Sequence, residues 1–135
     1  MTAASFALQQ ALMGALKADG ALLALLSDDR IYDAVPSRAA YPYIAYGPVA
    51  LRDWSTGSNT GHEHFISLST YSRQPGFREA CALVDAIDAC LANATLTLTG
   101  HKLVLFRFDT AEFRRETDSL TSRGLVTFRA LTEKL

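Results

Sequence analysis

The sequence predicts an α+β fold: a mostly antiparallel or mixed β-sheet with two to three helices packed on one face, in a single domain over residues 1–135. Three observations predict it. Over 4–18 and 77–92, apolar residues recur at steps of three and four, the period of a helix with one buried face. Over 63–71 and 123–132 the chain alternates between two sets of residues, as a strand presenting two faces does. The segments do not follow a βαβ rhythm and no glycine-rich phosphate turn joins a strand to a helix, so a nucleotide-binding doubly wound sheet is not expected. Helices gathered against one face of a sheet are the architecture left.

The first helix, 4–18, carries Leu8, Leu12, Ala15 and Leu16 on one stripe. It is expected to stop at Asp19 and Gly20, glycine being common just past a helix C-terminus. A short helical turn over 21–26 is apolar throughout and is expected to pack inside, and Ser27, Asp28 and Asp29 turn the chain into a brief strand at 30–32. Pro36 and Pro42 fix their own φ and hold Val35 and Tyr41 extended. A strand over 43–51 follows, then a polar loop over 52–62 with Gly57 and Gly61, long enough to suggest a functional or mobile segment. The strand 63–71 directs His64, Ile66, Leu68 and Thr70 to one side and Phe65, Ser67, Ser69 and Tyr71 to the other. Helix 77–92 aligns Phe77, Ala80, Cys81, Val84, Ile87 and Leu91, with Glu79 in the first turn, where the helix dipole favours a carboxylate, and Asn93 as its stop. Leu96, Leu98 and the run 103–108 suggest strands broken at Gly100. A charged strand over 112–117 and a long closing strand over 123–132 complete the chain.

Composition narrows the function. A hydrophobic fraction of 49% with 20% charged residues is ordinary for a soluble globular protein, and a net charge of −1 does not point to nucleic acid or an anionic membrane. No apolar run approaches the roughly 18 residues that span a bilayer. The amino terminus lacks a cationic segment and carries Gln9 and Gln10 among its apolar residues, so no signal peptide and an intracellular product are expected. Cys81 and Cys90 share a helix half a turn out of phase, roughly 13.5 Å apart along its axis and beyond disulfide reach. They read as small hydrophobes.

Chemistry is poorly represented. His62 and His64 share a strand face and His101 is the third histidine, but no cysteine or further ligand completes a zinc set. Asp85 and Asp88 are one helical turn apart and off the apolar stripe, as on a solvated face. No Gly-x-Ser-x-Gly elbow occurs. No catalytic residue, metal or cofactor is expected. Trp54 is the sole tryptophan and lies in the most polar loop; it either folds back onto the core or anchors an interface, where Trp, Tyr and Arg dominate binding energy. Arg114, Arg115, Glu116, Asp118 and Arg123 form either a solvated hairpin tip or rim charge that sets register between subunits.

The segment Arg30-Ile31-Tyr32-Asp33-Ala34-Val35-Pro36, followed by Tyr41-Pro42-Tyr43-Ile44-Ala45-Tyr46-Gly47-Pro48, the polar loop, a strand and Ser72-Arg73-Gln74-Pro75-Gly76 opening a helix, resembles the tail-terminator (tail-completion) family of long-tailed phages and phage-derived gene transfer agents. The resemblance runs over most of the chain and rests on the order of segments. It implies a structural virion protein at the tail–neck junction. Such a protein would be a homohexameric ring that ends the tail tube, contacts tube and neck or head-completion proteins, and lets DNA pass without specific binding. On this reading the working surface is the loop 52–62 helped by 112–123, with Arg52, Asp53, Trp54, His62, Arg114, Arg115, Asp118 and Arg123 as its interface residues. The rival readings are another neck ring such as a head-completion or stopper protein, a small cytosolic binding module, and a metal-dependent enzyme using His62, His64 and Asp53.

Overall fold

The computed structural model describes residues 3–135. In chain order these form α1 (Ala4–Lys17), α2 (Gly20–Leu26), β1 (Ile31–Tyr32), β2 (Tyr43–Asp53), β3 (Gly61–Ser72), α3 (Arg78–Asn93), β4 (His101–Arg115) and β5 (Ser122–Lys134). The strands make one mixed sheet in the order β1-β2-β3-β5-β4, in which only the β1–β2 pair is parallel. Two to three helices on one face of a mixed sheet is the predicted class, and the fold is α+β.

The core forms between the helices and one sheet face. Leu8, Leu12 and Leu16 of α1, Leu22 and Leu26 of α2, and Leu83, Val84 and Ile87 of α3 meet Ile44, Ile66, Leu68, Val126, Phe128 and Ala130 of the sheet. Each such leucine, isoleucine, valine or phenylalanine side chain, fully withdrawn from water, stabilises the fold by roughly 1.5–3 kcal/mol. α3 packs on β3, β4 and β5, and α1 and α2 pack on α3. The approach is close: a Cβ on Gly124 of β5 would lie 2.6 Å from Thr70 Oγ1 and 3.0 Å from Val84 Cγ2. The alternation read for β3 holds, with His64, Ile66, Leu68 and Thr70 all on the buried side.

Four element expectations change. Asp19 and Gly20 do not cap α1; Asp19 is the N-cap of α2, its carboxylate accepting the Leu22 N–H at 3.0 Å, and Gly20 opens that helix. The left-handed residue that ends a helix is Ser27, after α2. α2 itself buries only Leu22 and Leu26, because a seven-residue helix lying on α3 can bury one stripe only. Residues 96–98 contribute an isolated bridge between Leu98 and His101 rather than a strand. Finally, the runs 103–108 and 112–117 belong to one strand that ends at Arg115. Bulges between Leu103 and Leu105 and between Phe108 and Thr110 leave Val104 and Asp109 without partners. Each extra residue slips the alternation by one, so a period-two pattern cannot be followed through β4.

Candidate functional site

The expected interface residues fall into two groups at opposite ends of the sheet. β3 and β5 run antiparallel, so the turn that leads into β3 and the turn that leads into β5 lie at opposite ends. Along β3, His62 sits nine steps from Tyr71, the partner of Arg123. At about 3.3 Å per residue the groups are roughly 30 Å apart. The residues expected to share one working surface, in 52–62 and 112–123, therefore lie at two ends of the sheet.

At the first end, the expected loop 52–62 shrinks to 54–60, because Arg52 and Asp53 close β2 and Gly61 and His62 open β3, with Asp53 opposite His62. The turn is tied down. The Trp54 N–H donates to Gly61 O at 2.9 Å, Ser55 Oγ donates to the Asp53 carboxylate at 2.6 Å, and the Lys134 N–H donates to Thr60 O at 2.8 Å. Trp54 is half-buried, neither in the core nor fully in water, and it lies on Gly61. A Cβ there would sit 2.7 Å from Trp54 O and 3.1 Å from the indole, which is why glycine stands at this position. Arg52 is exposed and reaches Glu63 at 3.8 Å, while Glu63 accepts from Arg129 Nε at 2.7 Å. A cleft of about 430 Å³ opens beside this end, lined by Leu51, Thr60, His62, His101 and Lys134 with the start of α1.

The histidines at this end differ in environment. His64 is fully buried, with Nε2 2.9 Å from Thr132 Oγ1 and Nδ1 without a hydrogen-bond partner. Burial, and then the neighbouring His62 and His101, lowers its pKa to about 4, so the ring is neutral at pH 7. Among the described residues no group of His, Cys, Asp and Glu side chains gathers as a metal site needs.

At the second end, Asp118 organises the turn between β4 and β5. Its carboxylate accepts from the Leu120 and Thr121 N–H groups and the Thr121 hydroxyl, all at 2.9 Å, and these bonds, with Arg73 at 3.7 Å, lower its pKa. Arg114 pairs with Glu112, and the Arg115 guanidinium lies 5.4 Å over the Phe77 ring. Arg123 donates to Ser69 Oγ at 3.0 Å and covers Tyr71 at 5.7 Å, while its buried Nε has no partner in the described structure.

A feature absent from the expected residues dominates this second end. Tyr43 stacks on Tyr71 with centroids 4.9 Å apart, Tyr41 and Tyr32 flank Tyr43 at 5.2 and 6.0 Å, and Arg73 lies 4.4 Å over Tyr41. Burial, with Tyr41 and Tyr71 beside it, pushes the Tyr43 hydroxyl up to about 12, so that phenol is neutral at pH 7. Tyrosine and arginine are residue types enriched at protein-binding surfaces. The spacing of Tyr41 and Tyr43 about Pro42 was a visible signal; what the sequence could not supply was Tyr71, which joins them only through the β2–β3 register. Among the described residues no helix is long and apolar enough to cross a membrane.

A family model described as Tail completion protein gp17 matches residues 10–133. A chain from the solved structure of the virion of a native gene transfer agent (GTA) particle is 34% identical, with a TM-score of 0.90 over 98% of this chain and 99% of that one. The structure of bacteriophage SPP1 gp17 protein superposes with a TM-score of 0.65 and 22% identity over 94% of this chain and 89% of its own, a likeness of fold. Among curated proteins nothing matches.

Proposed function

The chain belongs to the tail completion protein gp17 family, and from that premise we propose that it forms a six-membered ring that ends the tail tube of a phage or gene transfer agent and offers its other face to the neck. It is a structural component of the virion tail. The observation that carries the reading is the full-length match, at 34% identity, to a chain of a native gene transfer agent particle.

The physical logic suits the molecule. A heterologous contact repeated through a 60° rotation closes into a ring and cannot extend. If the two ring faces differ, a tube that accepts one face stops growing at the other. The two ends of this sheet differ: one carries Trp54, His62 and His101, the other a tyrosine–arginine cluster. In our reading these two ends are the tube-facing and neck-facing surfaces. A net charge of −1 suits a ring through which DNA slides without being gripped.

Deletion of the gene, scored by electron microscopy, tests this. Abnormally long tails without the protein, and six copies in one layer at the tail–neck junction with it, are the expected results. Tails of normal length that fail to join heads would assign the chain to a different neck ring, and three, five or twelve copies in the layer would remove the hexamer.

A further inference from the structure

We propose that neighbouring copies of this chain join through their sheet edges, the outer edge of β4 of one copy running antiparallel along residues 49–53 of β2 of the next. The proposal rests on the ring reading above and says which surface closes the ring.

Four observations converge on it. First, β4 is the last strand of the sheet, and beyond the bridge from Leu98 to its first residue, His101, no described strand pairs with its outer edge. At the other edge, β1 pairs only with Ile44 and Ala45, which leaves the rest of β2 open. Second, both open edges expose apolar side chains on the helix-bearing face. Val49 is 38% and Leu51 48% exposed on β2, and Phe108 is 43% and Phe113 37% exposed on β4. Open strand edges with apolar residues invite another strand, and proteins that stay monomeric avoid them.

Third, the regular parts of the two edges lie at the same height. The bulges in β2 and β4 confine regular pairing to 49–53 of β2 and, at this level, to 105–108 of β4. Across the sheet Val49 is level with Ile66, Phe128 and Phe108, and Arg52 with Glu63, Leu131 and Leu105. Members of a ring share one height along its axis, so an axis running along the strands would bring these stretches side by side. Fourth, polarity and charge permit the contact. Three antiparallel pairings separate β2 from β4, so they run oppositely, and rotation about an axis along the strands preserves direction. The level positions set Val49 beside Phe108, Ala50 beside Arg107, Leu51 beside Phe106 and Arg52 beside Leu105, with no like charges directly opposed.

The test uses assembled particles. Particles containing Ala50→Cys together with Arg107→Cys, oxidised after purification and run without reductant, are expected to give linked species of up to six copies, since a disulfide needs Cα atoms within about 7 Å. Particles with either cysteine alone should give only the single chain. A six-copy layer in the microscope with only the single chain on the gel overturns edge pairing and leaves the ring standing; absence of any multi-copy layer in unmodified particles overturns both. Leu51→Glu alters an exposed side chain, so the purified protein should melt as before while finished particles fall by about tenfold or more. Leu25→Glu, at a similarly exposed position on α2, should leave particle number unchanged. Full particle yield from Leu51→Glu would overturn the proposal even if the cysteine variants failed to assemble.

Discussion

His64 is a fully buried histidine, and it sets a pH dependence. Its pKa falls from 6.5 to about 4 on folding, chiefly through burial. Below pH 6.5 the unfolded chain binds a proton that the native chain refuses until pH nears 4. The stability His64 contributes is thus present above pH 6.5 and lost as pH falls toward 4, by at most about 3 kcal/mol. Urea melts at pH 7.5, 6 and 5 should show this decline, and His64→Asn should flatten it; equal slopes in the two proteins would refute the assignment. Gly61 is a second residue-scale constraint. With a Cβ only 2.7 Å from the Trp54 carbonyl, Gly61→Ala should cost roughly 1–3 kcal/mol, whereas Gly57→Ala in the same turn meets nothing within 4 Å and should cost under about 0.5 kcal/mol. Thermal melts of the two variants side by side check the difference.

At the scale of elements, α3 is where sequence and structure agree most closely, because a helix's face is fixed by local spacing alone. Val84, Ile87 and Leu91 are buried as the period requires, and Asp85 is exposed. Leu83 and Cys90 were buried residues that the stripe left out: α1 and α2 also press on α3, so its buried arc is wider than one sheet contact would demand. Ile87→Ala should therefore destabilise the fold by roughly 2–4 kcal/mol and Asp85→Ala by under about 0.5 kcal/mol, measured by chemical denaturation. A larger loss from Asp85→Ala would mean the helix faces the other way. The strands were less legible. β3 and β5 keep an unbroken register and were readable by alternation, while β4 is bulged twice and read as two pieces. The polar residues 52 and 53 looked like loop because the last residues of β2 are exposed on both strand faces, where burial does not select apolar side chains.

At the scale of the whole molecule, the candidate residues were legible one by one but their arrangement was not, since strand order and direction decide which turns share an end. Trp54 and Arg123 each stood out by residue type, yet roughly 30 Å of sheet separates them. That separation yields a prediction that one shared surface would not. Trp54→Ala removes a half-buried ring from the first end, and Arg123→Ala removes the cation over Tyr71 at the second. If the two ends meet different partners, the variants should fail at different junctions. One should leave overlong tails and the other properly ended tails that do not join heads, with each purified protein still folded by circular dichroism. Truncating a binding anchor costs about 2 kcal/mol or more, enough for either defect to be counted in micrographs. The same defect from both variants would mean that only one end works, and the partner-facing role of the other would fall. Double variants sharpen the comparison. Anchors so far apart, acting on separate partners, should give the sum of the two single defects, whereas a coupled loss would point to one contact spanning the sheet.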